Sequence, residues 1–305
     1  NQPGSDAGDI TVSSPIVKTT NNAASLTLTA DRHIHINANV TLPNSSAPGE
    51  NASITLQAGG NVEVNNATMQ AGHIAVTAGG SIQRSGTQAN DFLFGQTFPS
   101  VGSLVLTAHG GAIGAAGNAI RLKNNRLSSW QEGTSGRAIT THTEGHIHLR
   151  YTGDEVNLYA NAIQTDTGSS QTVSLEHTGS SGLGLGGTIS GNDHWSLTTS
   201  KNFGVINGSG AQWVGNSVSV TAEQLVSDNS ADRVMFDTSA VNGNITLRAQ
   251  IFDGTGCGGN QRGIGVRPGT GTVSATLVGG THCSGTGSIQ LRHFGGELLA
   301  SRYAL

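Results

Sequence analysis

Ala24-Ser-Leu-Thr-Leu-Thr-Ala30, Ala52-Ser-Ile-Thr-Leu-Gln-Ala58 and Gly72-His-Ile-Ala-Val-Thr-Ala78 are three copies of one phrase. Each runs through a short corner into a second alternating stretch: Asp31-Arg-His-Ile34-His-Ile36, Gly59-Gly-Asn-Val62-Glu-Val64 and Gly79-Gly-Ser-Ile82. Successive side chains of a strand point to opposite faces. Leu26 with Leu28, Ile54 with Leu56 and Ile74 with Val76 therefore share one face, and Ser, Thr, Gln and His share the other. The corners predict glycines in positive-φ turns.

The phrase returns at 102–108 and then more faintly at 146–149, 172–175, 194–197, 217–222, 244–249, 272–273 and 288–291. From Leu26 to Ile289 the mean step is about 26 residues, inside the ~20–50 residue range of repeat arrays. One such unit cannot bury its apolar face alone, whereas parallel stacking gives every unit a neighbour. The pattern predicts an all-β, right-handed parallel β-helix of about 10–11 rungs, a solenoid with loop insertions, rising ~4.8 Å per rung to roughly 50 Å. Leu26, Ile54, Ile74 and Leu104 should form one inner column, and Ala30, Ala58, Ala78 and Ala108 another. The chain reads as a single domain over 1–305, with an excursion or extra rung around 117–143 and less regular rungs over 146–305. Residues 92–99 are expected to interrupt a rung and fold over one side.

The composition agrees. Of 305 residues, 45 are glycine, about twice the ordinary share, and only 11% are charged against a usual ~25%. An apolar fraction of 35% set in regular alternation argues for folded structure over a disordered polar tract. No long apolar run suggests a membrane-spanning helix. With a net charge of −4, a pI near 6.2 and 15 scattered Lys and Arg, nucleic-acid binding is disfavoured. The start at Asn1 suggests a mature piece or a fragment of something longer.

Histidines come in the pairs His33/His35 and His146/His148, on outer strand faces. Two such imidazoles lack the third protein ligand that zinc needs, so no metal and no cofactor is expected. A β-helix also carries carbohydrate-active enzymes, which need two carboxyl groups ~5–10 Å apart beside a cleft. Asp31, Glu63, Asp154, Glu155, Asp166, Glu176, Asp193, Asp232, Asp237 and Asp253 are scattered, with Asp154/Glu155 and Asp232/Asp237 the nearest to a pair. No catalytic residue is assigned.

Cys257 and Cys283 are 26 residues apart, one mean rung, which could stack them at ~5 Å and allow a disulfide in an oxidising compartment. Among the tryptophans, Trp195 falls at an inward position, while Trp130, in the excursion, is the candidate ligand contact. The sequons at Asn39, Asn44, Asn51, Asn66, Asn207 and Asn244 divide between chance and corner Asn ladders.

Gly8-Asp-Ile-Thr-Val12-Ser-Ser-Pro-Ile16, Leu26-Thr-Leu-Thr-Ala-Asp-Arg-His-Ile34, Ile54-Thr-Leu-Gln-Ala-Gly-Gly-Asn-Val62 and Gly111-Ala-Ile-Gly-Ala-Ala-Gly-Asn-Ala-Ile120 resemble filamentous-haemagglutinin-type exoproteins of Gram-negative bacteria over about the first 125 residues. The resemblance implies a β-helical shaft, export through an outer-membrane two-partner secretion transporter, and a secreted, cell-surface location. It also implies adhesion or biofilm formation through a host or bacterial surface glycan or protein receptor. The Asn-Pro-Asn motifs of the family's secretion domain are missing, which points to an internal or C-terminal fragment. By the same resemblance, the Cys257–Cys283 loop could anchor the chain at the outer membrane, although a staple for the end rungs is the simpler reading. Open end rungs allow end-to-end self-association. The expected function is thus a non-catalytic structural and adhesive segment. The alternatives are a β-helical polysaccharide lyase or hydrolase, or a passive spacer for a binding head elsewhere.

Overall fold

The computed structural model describes residues 8–20, 24–42, 52–95, 102–124, 139–152, 156–159, 163–165, 170–178, 183–186, 188–189, 191–199, 202–205, 212–226, 235–252, 264–278, 291–293 and 297–303. All regular structure among them is β, and the paired strands run parallel as a β-solenoid of about six turns by its longest ladders. The chain divides into two compact units, 1–153 with 164–166, and 154–163 with 167–305. Cys257, Cys283 and Trp130 lie outside the described residues, as do Asp154, Glu155, Asp166, Asp232 and Asp253.

In the first unit each turn contributes a strand to up to three ladders. The first ladder stacks Ser25–Ala30, Ser53–Ala58, His73–Ala78, Ser103–Ala108 and Ile139–Thr143. A second ladder stacks Ile10–Val12, Ile34–Ile36, Val62–Asn65 and Ile82–Ser85, continued by single bridges from Ile82 to Ile113 and from Ile113 to Ile147. The third stacks Ile16–Val17, Val40–Thr41, Met69–Ala71, Phe92–Phe94, Ile120–Asn124 and Ile147–Tyr151.

Register follows the repeat. Leu26 pairs with Ile54, Ile54 with Ile74 and Ile74 with Leu104, while Ala30, Ala58, Ala78 and Ala108 pair in the same way. Ile54, Ile74 and Leu104 are buried, and so are Ile34, Val62 and Ile82 on the second ladder. Burying a side chain of this size stabilises by ~1.5–3 kcal/mol, and each turn gains that only because a neighbouring turn covers it.

Three expectations about rung placement are corrected. Ile139–Thr143, assigned to the excursion, is the next member of the first ladder, with Leu104 opposite Ile139. The stretch at 146–149 instead belongs to the neighbouring ladders, where Ile120 pairs with Leu149. Phe92–Phe94 does not fold over the side. It is itself a rung strand between Met69–Ala71 and Ile120–Asn124, with Phe92, Phe94 and Leu122 in the core.

The corner glycines also act differently from the expectation. Gly59, Gly60, Gly79 and Gly80 have ordinary negative φ; positive values occur elsewhere, as at Asn66 (φ 48°) and Gly86 (φ 91°). What the corners require is closeness. A Cβ on Gly59 would strike the carbonyl oxygen of Asp31, and one on Gly79 would strike that of Gly59. Backbone stacks on backbone where the chain turns, which leaves no room for a side chain.

The second unit repeats the plan. Thr172–His177, His194–Thr199, Ser217–Val226, Ile245–Phe252, Thr272–Val278 and Glu297–Tyr303 form its longest described ladder. Val173, Trp195, Val218, Ile245 and Val273 make one buried column, and Leu175, Leu197, Val220, Leu247 and Ala275 the next. Trp195 is therefore core, as its inward position predicts. It meets the buried Trp213 edge-on at 4.7 Å between ring centroids. At the C-terminal side, Glu297–Tyr303 takes the position expected for 288–291, and Leu291–His293 pairs instead with Ile264–Arg267.

Candidate functional site

Strand ends leave backbone amides that face the previous turn, and a buried or half-buried amide needs an acceptor. At one corner of the first unit the side chains supply it, turn after turn. His33 N–H donates to Asp9 Oδ1 at 3.0 Å, Asn61 N–H to His33 Nδ1 at 2.9 Å, Ser81 N–H to Asn61 Oδ1 at 2.9 Å and Ala112 N–H to Ser81 Oγ at 3.1 Å. Residues 20 to 31 apart in sequence are joined because each occupies the same corner position. A net hydrogen bond of this kind contributes about 1 kcal/mol.

Asparagines serve other corners in the same way. Asn39 Oδ1 accepts Thr68 N–H, Asn66 Oδ1 accepts Thr87 N–H and Asn244 Oδ1 accepts Thr272 N–H. Three of the sequon asparagines are thus inter-turn caps; Asn44, Asn51 and Asn207 lie outside the described residues.

Both histidine pairs lie on the outside of strands, with ring centroids 6.0 Å apart in His33/His35 and 6.2 Å apart in His146/His148. His35 Nδ1 is 3.0 Å from Glu63 Oε2, a contact in which Nδ1–H donates to the carboxylate. Burial, with His146 alongside, holds the His148 pKa below the ordinary imidazole range. Burial does the same for His73, whose Nδ1 lies 2.7 Å from Ser103 Oγ. Among the described residues no three His, Cys, Asp or Glu side chains converge to hold a metal ion.

Asp9, Glu63, Asp193 and Asp237 are engaged in bonds between turns or across corners. Asp9 is held below the ordinary carboxylate range mainly by the His33 N–H, against slight burial and with help from Arg32 at 3.3 Å. Asp193 Oδ1 accepts Gln171 N–H at 3.0 Å. Burial raises Asp237, but the Ser239 hydroxyl and N–H and then Arg267, 3.1 Å away, outweigh it and leave its pKa lowered. Asp31 is exposed at its corner, and Glu176 sits on an outer face of Thr172–His177.

One cluster lay outside the sequence reading. Arg84 stands in register with inward-facing Val64, so its guanidinium enters the interior. There Nε meets Asp91 Oδ2 at 2.7 Å, Nη1 donates to Asn118 Oδ1 at 2.9 Å and Nη2 to the Gln88 carbonyl at 3.2 Å. Arg121 N–H also donates to Asp91 Oδ2, at 2.8 Å, while Asp91 Oδ1 has no partner. Burial pushes the Asp91 pKa up against the pull of the Arg121 N–H and Arg84. The signal was present: Ile82-Gln-Arg84 places a charge where the alternation demands an aliphatic residue.

The outer face of the second unit carries a hydroxyl row. Ser174, Ser196, Ser219, Thr246 and Ser274 are in successive register on five neighbouring strands, ~4.8 Å apart. Beside it run Glu176, Thr198, Thr221, Arg248 and Thr276.

No protein-family model, no curated protein and no solved structure matches this chain.

Proposed function

We propose that the chain is a non-catalytic structural and adhesive segment of a large secreted bacterial surface protein of the filamentous-haemagglutinin type. In that setting it is exported through an outer-membrane two-partner secretion transporter and contacts a surface glycan or protein receptor. The observation that carries this reading is the use made of the acidic groups. Asp9, Glu63, Asp91, Asp193 and Asp237 each hold a neighbouring amide or cation in place. A glycosidase needs a carboxyl pair free to exchange protons with substrate. The outer row from Ser174 to Ser274 offers neutral hydroxyls, which suit hydrogen bonding to a polyol or peptide surface.

A glycan array and a cell-binding assay on the whole chain test the proposal. Binding that weakens when the hydroxyls of Ser196, Ser219 and Thr246 are removed together by alanine supports it. Release of reducing ends from bacterial or plant polysaccharides would establish the rival β-helical carbohydrate-active enzyme. Silence in both assays would leave the passive spacer.

A further inference from the structure

We propose that His33 is a proton-operated latch that fastens the corner between the second and third turns of the first unit while its ring is neutral and releases it when the ring takes up a proton. His33 is tied on two sides. Its N–H donates to Asp9 Oδ1 and its carbonyl accepts Ile10 N–H at 2.9 Å, both on the preceding turn. Its Nδ1 accepts Asn61 N–H at 2.9 Å from the following turn. An imidazole nitrogen accepts only while it carries no proton, so this bond requires Nδ1 to be bare.

The later members of the same column have no such requirement. Ser81 N–H and Ala112 N–H are accepted by the Asn61 amide oxygen and the Ser81 hydroxyl, which do not titrate. Protonation of His33 therefore sets two donors against each other at one corner and leaves the rest of the column unchanged. Turning the ring gives no escape, because both nitrogens of an imidazolium carry protons. Gly60 also packs against the ring at Nδ1 and Cε1, with no room for a Cβ.

The charged groups around His33 do not substitute for the lost acceptor. Asp9 is engaged with the His33 N–H and with Arg32. Glu63 is engaged with His35, and Asp31 lies beside Gly8. His35, 6.0 Å away by ring centroid, holds no amide of the following turn, since its Nδ1 donates to Glu63. The sign for the latch is fixed by Nδ1: the bond is present while Nδ1 is bare and is lost when it takes up a proton.

Hydrogen exchange followed by mass spectrometry on the whole chain, corrected for intrinsic rates, tests this with peptides covering 59–66 and 79–85. Protection of the first peptide should fall about tenfold at the Asn61 amide between about pH 8 and pH 5, with the second as internal reference. His33→Asn, which places a non-titrating oxygen as Asn61 does one turn later, should abolish the pH effect. His35→Asn should leave it in place. Equal protection of 59–66 at both pH values in the unmodified chain, or a pH-dependent loss that survives His33→Asn, would overturn the proposal.

Discussion

Arg84 and Asp91 form an ion pair, Nε to Oδ2 at 2.7 Å, with only 2% and 1% of their side chains exposed inside the coil. A buried charge whose partner is removed keeps its desolvation penalty and loses its compensation. Asp91→Ala should therefore destabilise by about 3–5 kcal/mol. Replacing both residues, with Arg84→Met and Asp91→Leu, should cost markedly less. Urea-denaturation midpoints of the two variants give the comparison.

Gly79→Ala tests the backbone stack at the corner. The added methyl would run into the Gly59 carbonyl, so a loss of about 1–3 kcal/mol is expected, the usual scale of overpacking. Gly191→Ala, where the nearest atom is Asp193 Oδ2 at 3.7 Å, is the control and should shift thermal stability little.

Leu56→Ala opens a cavity in a column covered on both sides by Leu28 and Val76, and should cost about 2–5 kcal/mol. Thr27→Ala, on the exposed face of the adjoining strand, should stay within about 0.5 kcal/mol. If the two losses were equal, the alternation of inner and outer faces would be wrong.

Asp237→Asn probes the lowered carboxyl. Because the folded pKa lies below the ordinary value of 3.8, the charged form contributes stability above that pH, and the contribution disappears as pH falls through the folded value. The variant should be less stable than the parent near pH 7, and the gap should narrow as pH falls below the ordinary carboxyl value of 3.8. Parallel melting curves across that range measure it.

The solenoid was legible because its period is short and strict where Leu26, Ile54, Ile74 and Leu104 recur, and these residues do pair. The ladder strand Ile139–Thr143 was not legible. Its inner positions hold Ile139, Thr141 and Thr143, so two of three buried side chains are polar and the apolar alternation vanishes. Phe92–Phe94 reads as part of a loop because it runs on to Phe98-Pro99 without alternation, whereas the rings of Phe92 and Phe94 fill the interior. The outer position of His33 and His35 could be read from Ile34 and Ile36. Their partners Asn61 and Glu63 could not, since they depend on register across a whole turn. The role of Arg84 is hidden in the sequence because its counter-ion lies seven residues on and meets it only when the coil closes.

The run of acceptors from Asp9 through His33 and Asn61 to Ser81 bears on how such a chain can change length. Each winding offers a socket on one side and a plug on the other, and the fittings are interchangeable among Asp, His, Asn and Ser. Duplicating or losing one complete winding leaves every plug seated, while an insertion of two or three residues within a corner strands the next one. Growth by copied windings is therefore the easy route for this architecture, and small internal insertions belong in the loops between ladders.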